Sequence, residues 1–462
     1  MKGPTRRKPV APAAPLKGTC VDLSYEGKGV VKTEDGIYFV PGMFPGESGE
    51  IEFAYRRTGV AFGKVRKLDV VSKDRVEPRC KICSACGGCC FQQYAYEAQL
   101  RHKTALVKEQ FRKVAKTEID PLPCIGMDNP YFYRNKIQMP FGKDKKGNLY
   151  CGFYKEGTHV IVPVNTCYIE DERAKLVLEA VKKLGKSFRI EPYQEDAGYG
   201  FLRHVLIRCA KHKDEVMVVL VTASDNFPSR SNFVKALIKE CPFITTVVQN
   251  VNSRHTNVIL GEFERVLYGP GFIEDILCGI RFRISAKSFY QVNPIMTETL
   301  YGKAIEAAGL TGTETVFDAY SGIGTIGMVA SKHCKNVISV EIVKEAVADA
   351  RKNAKANHIE NVSFYCGDAS SFMVQMAEKK QNVDVVFLDP PRKGSDERCL
   401  NAICKLKPQK VVYVSCDPST LARDVAYLKK SYDLISVQPV DMFPHTQHVE
   451  TVAMLRLKDS KK

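Results

Sequence analysis

From about residue 315 onward, the chain alternates between short apolar runs and longer stretches in which apolar residues recur every three or four positions. This alternation predicts β-strands followed by α-helices, and therefore a parallel, doubly wound sheet. The last two predicted strands, 434–440 and 451–457, follow one another without a helix and indicate an antiparallel edge. The first five predicted strands span residues 315–320, 337–342, 362–367, 383–388 and 410–415.

The first part of the chain shows short runs of β-forming residues separated by turn residues, which indicates a small β-barrel. Its predicted strands are 30–31, 37–40, 50–55 and 61–67. Basic residues such as Arg56 are interleaved with aromatic residues such as Tyr55. This mixture suits single-stranded nucleic acid, which offers phosphates and stackable bases. Alternatively, the aromatic residues form the barrel core.

A mixture of helical and strand-like segments lies between these two regions and indicates an α+β central domain. The N-terminus is rich in Pro, Ala and basic residues, and we interpret it as a disordered basic tail. The predicted organisation is therefore a tail at 1–15, a β-barrel at 16–70, a central domain at 71–270 and a C-terminal α/β domain at 271–462.

The composition is that of an ordinary globular protein, but the charge is not. The 462 residues are 44% hydrophobic and 26% charged, with a formal net charge of +16. This charge favours a polyanionic partner, either nucleic acid or an anionic membrane surface. No apolar run is long enough to span a membrane, and no secretory signal is recognisable. We therefore expect a protein of the reducing cytosol, in which most of the 17 cysteines are free thiols.

A glycine-rich turn, Gly322 to Gly327, follows the first predicted strand of the α/β domain. Such a turn allows the backbone to approach a nucleoside cofactor. Four acidic residues are predicted at the carboxyl ends of four successive strands, where ligands bind in such folds. A crevice rich in carboxylates repels a pyrophosphate and suits the cationic S-adenosylmethionine (SAM) better than a dinucleotide. The four residues are Asp318, Glu341, Asp368 and Asp389.

Cys416 is predicted at the end of the fifth strand of this domain, directly before a helix that Asp417 caps. The positive end of the helix dipole can lower the pKa of a thiol there, although Asp417 opposes this. The position makes Cys416 a candidate nucleophile rather than a buried spectator. Glu450 precedes the last predicted strand and could face Cys416 as a general base.

Five cysteines fall within 80–90 and form a C-x2-C-x2-C-x2-C pattern followed by one more cysteine. The spacing indicates a metal site, either tetrahedral zinc or an iron–sulfur cluster. A radical methylating enzyme is excluded because its C-x3-C-x2-C spacing would require a cysteine where Gln93 stands. The five residues are Cys80, Cys83, Cys86, Cys89 and Cys90.

Four sequence motifs together resemble the RNA (uracil-5-)-methyltransferase family, in the branch that modifies 23S ribosomal RNA. The N-terminal barrel is similar to the family's TRAM domain, an OB-like RNA-binding fold, and the C-terminal domain is similar to a Rossmann-like class I methyltransferase. The motifs are Ser-Cys416-Asp-Pro-Ser-Thr-Leu-Ala-Arg-Asp, His448-Val-Glu450, Phe387-Leu-Asp389-Pro-Pro-Arg-Lys-Gly, and Phe289-Tyr-Gln291-Val-Asn293.

The resemblance implies a role for each matching residue. Cys416 would be the nucleophile and Glu450 the base that removes the C5 proton of uracil. A [4Fe-4S] cluster would be bound by three of the clustered cysteines and one distant cysteine. The implied contacts with SAM are Gln291, Tyr320, Glu341 and Asp389, and the implied cluster ligands are Cys80, Cys86, Cys89 and Cys167.

The expected partner is RNA, most simply 23S ribosomal RNA, with no membrane and a monomeric protein. Two alternatives remain open. One is methylation of transfer RNA, which the barrel and the cysteine cluster disfavour because common bacterial transfer-RNA members of the family lack them. The other is a non-catalytic RNA-binding protein with the same fold, which the intact set of catalytic and cofactor residues disfavours.

Overall fold

The computed structural model describes residues 14–155 and 157–459. The predicted tail at 1–15 therefore lies outside the described residues, apart from its last two positions. The described chain divides into two compact units. One unit contains the residues up to 102 and a short segment at 445–447, and the other contains 103–444 and the residues from 448 onward.

The first unit contains a closed five-stranded barrel with the strand order β1-β2-β3-β5-β4, as the turn-rich sequence predicts. Its small core includes Val31, Tyr38 and Ile51. The aromatic residues divide between the two expected roles, since Tyr38 is buried while Phe53 and Tyr55 are about half exposed. The strands are β1 (Leu16–Leu23), β2 (Gly29–Thr33), β3 (Gly36–Val40), β4 (Ser48–Arg57) and β5 (Val60–Val70).

The cysteine-rich segment follows the barrel. It forms one short helix, α1 (Cys83–Cys86), which ends at Gly87 in the left-handed conformation (φ 71°). Helix α2 (Tyr96–Val114) comes next along the chain.

The second unit begins with a seven-stranded sheet of order β12-β11-β10-β9-β6-β7-β8. Strands β9 and β10 are buried along their whole length. The sequence of β10 is accordingly almost entirely apolar, whereas β9 also buries Arg203, His204 and Arg208. The elements of this region are β6 (Lys136–Lys143), β7 (Leu149–Tyr154), β8 (Ile161–Pro163), α3 (Glu172–Ser187), β9 (Leu202–Cys209), β10 (Val216–Thr222), α4 (Arg230–Glu240), β11 (Ile244–Val251) and β12 (Phe263–Tyr268).

A hairpin and one helix precede the C-terminal sheet. They are β13 (Ile273–Leu277), β14 (Ile280–Ile284) and α5 (Pro294–Ala308). The sheet then alternates with helices through β15 (Thr315–Ala319), α6 (Thr325–Ser331), β16 (Asn336–Glu341), α7 (Lys344–Ala356), β17 (Val362–Cys366), α8 (Ala369–Glu378), β18 (Val385–Leu388), α9 (Glu397–Leu406), β19 (Lys410–Ser415), α10 (Pro418–Leu428), β20 (Tyr432–Val440) and β21 (Glu450–Leu457).

The C-terminal sheet has the order β17-β16-β15-β18-β19-β21-β20, so the predicted doubly wound α/β domain is confirmed. Strand β21 is antiparallel to both of its neighbours, β19 and β20. The antiparallel strand therefore lies one position in from the edge, because the chain returns between β19 and the edge strand β20. This insertion brings the start of β21 beside the end of β19.

The core of the second unit is continuous from the central sheet to the C-terminal sheet. Leu206 and Val219 of the central sheet belong to the same apolar cluster as Phe387 and Val412 of the C-terminal sheet. Among the helices that the structure describes, none combines the length and apolar character needed to cross a membrane.

Candidate active site

A cavity of about 670 Å³ opens at the carboxyl ends of the strands of the C-terminal sheet. This is the edge at which open parallel sheets bind ligands. The two catalytic residues and the four SAM contacts implied by the family resemblance all line this one cavity. They are Gln291, Tyr320, Glu341, Asp389, Cys416 and Glu450.

Cys416 and Glu450 are brought together by the register of two antiparallel strands. Ser415, the last residue of β19, pairs with Thr451 of β21. Cys416 follows the first of these residues and Glu450 precedes the second, so the two lie at adjoining ends of neighbouring strands. Asp417 caps α10 as predicted, because its carboxylate accepts hydrogen bonds from the backbone N–H groups of Ser419 and Thr420.

The pKa of the Cys416 thiol is raised and not lowered, contrary to the expected effect of the helix dipole. Burial, together with the negative charges of Glu450 and Asp389, raises the pKa of Cys416 to about 12. Arg392 acts in the opposite direction but is the weaker influence. Like charges and burial thus outweigh the helix N-terminus, and the sulfur remains a thiol at neutral pH.

The pKa values of the two carboxyl groups beside this thiol are raised as well. Burial, reinforced by Asp389, raises the pKa of Glu450 to about 8. Burial raises the pKa of Asp389 to about 7. A cationic ligand in this cavity would reverse these shifts, since an opposite charge favours the ionised form of a carboxyl group. The carboxyl groups of this cavity therefore suit the positively charged sulfonium and ammonium groups of SAM.

Glu341 is oriented by the turn that follows β15. Its two carboxylate oxygens accept hydrogen bonds from the backbone N–H groups of Gly322 (2.9 Å) and Val343 (2.8 Å). Each oxygen keeps a further lone pair, so the carboxylate can still accept a pair of ribose hydroxyls. Tyr320 begins this turn in the left-handed region (φ 63°), a strained conformation for a residue with a side chain.

Two of the four strand-end acidic residues do not line this cavity. Asp318 is 1% exposed and lies behind the glycine-rich turn, where its carboxyl group accepts hydrogen bonds from the Gly327 N–H and the Ser339 hydroxyl. Asp368 lines a neighbouring cavity, shared with Tyr320, and caps α8 through Ser371. The expectation is therefore wrong for Asp318, which supports the turn, whereas Asp368 lines an adjoining cavity that Glu341 also lines.

Residues that position Gln291 come from distant segments, and the sequence analysis did not identify them. Asn135 Nδ2 donates a hydrogen bond to the Gln291 carbonyl oxygen (3.0 Å). The buried Arg208 guanidinium donates to the carbonyl oxygens of Ala286 and Ser288, in the segment before Gln291. Arg208, a basic residue within the apolar run 205–210, is a sequence signal for a buried role.

Two further residues at the cavity lie within motifs but had no assigned role. Phe289 is 71% exposed, which is unusual for so large an apolar side chain. Arg392 is the cation whose charge lowers the pKa of both Cys416 and Glu450. An exposed ring and a cation at the mouth of a cavity suit a nucleotide.

The clustered cysteines lie together in the first unit. Burial, together with neighbouring Cys86, Cys90 and Cys80, raises the pKa of the Cys89 thiol to about 12. The Cys90 thiol instead donates a hydrogen bond to Gln447 Oε1 (3.3 Å). Within residues 14–155 and 157–459, no three His, Cys, Asp or Glu side chains form a group arranged to hold a metal ion.

The remaining predicted cluster ligand, Cys167, follows β8 in the second unit. Glu170 lies close to it, and burial raises the pKa of that carboxyl group to about 7.

An α/β sheet with an inserted antiparallel strand, and a cavity lined by cysteine and carboxyl groups at its carboxyl edge, define a protein of the methyltransferase fold class. The sequence model of tRNA (uracil-5-)-methyltransferases matches residues 273–458. An uncharacterised RNA methyltransferase of Halalkalibacterium halodurans is 44% identical over 96% of this chain and 96% of its own length. Another, from Listeria innocua, is 42% identical over 95% of this chain and 97% of its own length.

A solved structure extends this similarity to the whole fold. The Pyrococcus abyssi tRNA (uracil-54, C5)-methyltransferase, in complex with S-adenosyl-L-homocysteine, has a TM-score of 0.77 and 28% identity to this chain. The match covers 95% of this chain and 100% of that one. The chain belongs to the RNA (uracil-5-)-methyltransferase family. It is a SAM-dependent RNA uracil C5-methyltransferase.

We expect the change Glu341→Gln to weaken SAM binding by about tenfold or more, since a hydrogen bond to a charged group contributes about 1.5–3 kcal/mol. Isothermal titration calorimetry with the full chain measures this change. Glu360→Gln, an exposed position beyond α7, is the matched control. Equal affinity in both variants would show that Glu341 only supports the turn.

Proposed function

We propose that this enzyme methylates C5 of a specific uridine in 23S ribosomal RNA, with Cys416 as nucleophile and Glu450 as base. The observation that carries the chemistry is the placement of Cys416 and Glu450 at adjoining strand ends in one cavity with Asp389 and Glu341. The choice of ribosomal RNA is supported by the motifs that resemble that branch of the family.

The reaction requires covalent catalysis because C5 of uracil is too weak a nucleophile to accept a methyl group directly. Addition of the Cys416 thiolate to C6 makes C5 enolate-like. Bound SAM supplies the methyl group from its sulfonium. Glu450 then removes the C5 proton, the C6–S bond breaks, and the Cys416 thiolate leaves as the C5–C6 double bond re-forms.

The remaining cavity residues bind and orient the reactants. Asp389 and Glu341 would contact the cationic and ribose parts of the methyl donor, and Gln291 and Tyr320 would complete its site. A cation near Asp389 favours the ionised forms of Cys416 and Glu450 that the chemistry needs. The negative charges that raise the pKa of Cys416 would therefore couple formation of the thiolate to binding of the methyl donor.

Mapping of 5-methyluridine tests the choice of RNA. RNA is isolated from cells with and without this protein, digested with nuclease and analysed by mass spectrometry. We expect loss of the modification from one or more sites in 23S ribosomal RNA. Loss from transfer RNA alone would contradict the proposal while leaving the chemistry intact.

Transfer RNA is the second candidate because of one specific observation. The match with the Pyrococcus abyssi transfer-RNA enzyme covers 95% of this chain. The uncovered 5% is shorter than the barrel, so the match includes at least part of the barrel. An N-terminal barrel is therefore compatible with a transfer-RNA substrate and cannot decide between the two RNAs. A non-catalytic RNA-binding protein is disfavoured because the proposed catalytic and SAM-binding residues all line one cavity.

We also propose that Cys80, Cys86, Cys89 and Cys167 bind a [4Fe-4S] cluster with a structural role. The proposal rests on the cysteine spacing and on the family resemblance. The thiols of Cys80, Cys86 and Cys89 lie close enough for their charges to influence one another. Thiolates are the ligands that such clusters use.

We expect anaerobically purified protein to contain about four iron atoms per chain. Cys86→Ser should lower this iron content strongly, whereas Cys83→Ser should leave it unchanged. Iron analysis and visible absorption measure both results. Equal loss of iron in the two variants would assign Cys83 to the ligand set, and iron-free wild-type protein would contradict the cluster.

The barrel is proposed as a TRAM-type RNA-binding domain. Tyr55 stacks on Phe62 with ring centroids 4.7 Å apart, and Tyr55 remains 52% exposed. Neighbouring Arg56, Arg57 and Lys64 are exposed on the same two strands. Exposed rings beside cations suit single-stranded RNA, and we expect the protein to act on it as a monomer in the cytosol.

A further inference from the structure

The central sheet has a second cavity, of about 990 Å³, that does not belong to the methyl-transfer site. It is lined by side chains from β6, β7 and β9 and from adjoining loops. Gln138, Phe153, Tyr154, His159 and His204 contribute its polar and aromatic surface. Its volume is at the upper end of the range typical of small-molecule sites.

His204 lines this cavity and carries a buried polar atom without a partner. The residue is 6% exposed, and its Nδ1 atom is buried without a hydrogen-bond partner. Burial and the neighbouring Arg203 cation lower the pKa of His204 to about 4, so the ring is neutral. Buried polar atoms without partners are rare and costly, and a ligand is one explanation for such an atom. The Nδ1 atom of a neutral imidazole can donate or accept a hydrogen bond.

Aromatic rings surround this atom. Tyr154 contacts His204 edge to face, with centroids 6.3 Å apart at 86°. Tyr154 contacts His159 in the same way, with centroids 5.4 Å apart at 62°. Rings that meet edge to face leave faces on which a further planar group can pack.

Two of the basic side chains at the cavity have acidic partners, and Lys155 is a further cation of the lining. Arg203 forms an ion pair with Glu195 (2.7 Å), and His159 Nδ1 lies 2.6 Å from Asp196. The acidic members of these pairs disfavour a phosphate. Neutral hydrogen-bonding groups and aromatic rings instead suit an uncharged planar heterocycle, the class of ligand to which a nucleobase belongs.

The cavity lies within reach of an RNA strand bound at the methyl-transfer site. His204 and Arg208 share one face of β9, and Arg208 donates to the carbonyl oxygen of Ser288, a residue that lines the methyl-transfer cavity. Four residues along a strand span about 13 Å. A stacked nucleic-acid strand advances about 3.4 Å per nucleotide, so the distance from His204 to Arg208 alone corresponds to about four nucleotides.

We propose that this second cavity receives one unpaired nucleobase of the RNA substrate, a few nucleotides from the target uridine, through a hydrogen bond to His204 Nδ1. The inference rests on the RNA methyltransferase activity and holds whichever RNA is the substrate. The cavity would be a second site at which the enzyme recognises a base, and this contact would determine which uridine lies at the methyl-transfer site.

The test compares two single-stranded RNA probes of about 15 nucleotides, long enough to span both cavities. One probe has mixed sequence, and the other has the same backbone but lacks every base. Binding to the full chain is measured by fluorescence polarisation. The variants are His204→Phe and Tyr154→Ala, and His333→Phe is the matched control because His333 is exposed elsewhere in the C-terminal domain.

We expect both cavity variants to bind the base-containing probe at least about fivefold more weakly, while binding of the abasic probe is unchanged. The control should bind both probes as the wild type does, and unfolding temperatures should show that all variants are folded. Equal affinity in folded variants, or equal weakening for both probes, would overturn the proposal. So would binding of free UMP or AMP that is lost in His204→Phe while RNA affinity is unchanged, since the cavity would then serve a small molecule.

Discussion

The change Cys416→Ala is expected to lower uridine methylation by about 10⁴-fold or more while leaving SAM binding intact. Loss of a nucleophile in covalent catalysis removes the intermediate itself and not merely one favourable contact. The cavity around Cys416 is shaped by neighbouring strands, so removal of one sulfur atom should not disturb the donor site. The rate is measured as transfer of labelled methyl groups to RNA from cells that lack the enzyme.

Trapping of the intermediate makes this prediction specific. RNA that contains 5-fluorouridine can accept the thiolate and the methyl group, but fluorine cannot leave C5 as a cation, so the covalent adduct persists. We expect a SAM-dependent adduct with the wild type and with Cys404→Ala, a change at a second partly exposed cysteine in α9, and none with Cys416→Ala. An adduct on another cysteine would contradict the assigned nucleophile.

The structure adds a condition on when this thiol reacts. The pKa of Cys416 is raised to about 12 because the thiol is buried and adjoins Glu450 and Asp389. Alkylation of Cys416 should therefore be slow in the free enzyme. A bound cation would lower the pKa and favour thiolate formation, which ties attack on the uracil to the presence of the methyl donor.

The sequence predicts the C-terminal sheet and its cavity well because both follow from local rules. Alternation of apolar runs with amphipathic stretches sets the order of strands and helices, and parallel strands deliver their carboxyl ends to one edge. The positions of Glu341, Asp389 and Cys416 follow from these rules. The position of Glu450 follows only when the last strand is taken to lie beside β19.

Other parts of the site depend on contacts between distant segments, which the sequence pattern does not encode. Arg208 and Asn135 support the segment around Gln291 from the central sheet, and each lies many residues from it. Their immediate sequence does not show which segment they support. The helix dipole at Cys416 was recognised from the sequence, but its effect is outweighed by carboxyl groups that only the folded chain brings near.

The change Glu450→Gln is expected to slow turnover by about 10²–10⁴-fold, the range for loss of a general base. The variant should nevertheless still form the covalent adduct. Gln has nearly the shape of Glu, and the site is 4% exposed, so packing is preserved. Because Glu450 raises the pKa of Cys416, its replacement favours the thiolate and should not slow addition to C6.

The methylated intermediate should therefore accumulate in Glu450→Gln with ordinary uridine RNA, because removal of the C5 proton is the step that has lost its base. A denaturing gel detects the protein–RNA adduct, and mass spectrometry shows the added methyl group. Glu378→Gln, an exposed position at the end of α8, should turn over normally without an adduct. If folded Glu450→Gln formed no adduct at all, Glu450 would act before methyl transfer, and its assignment as the base for the C5 proton would be wrong.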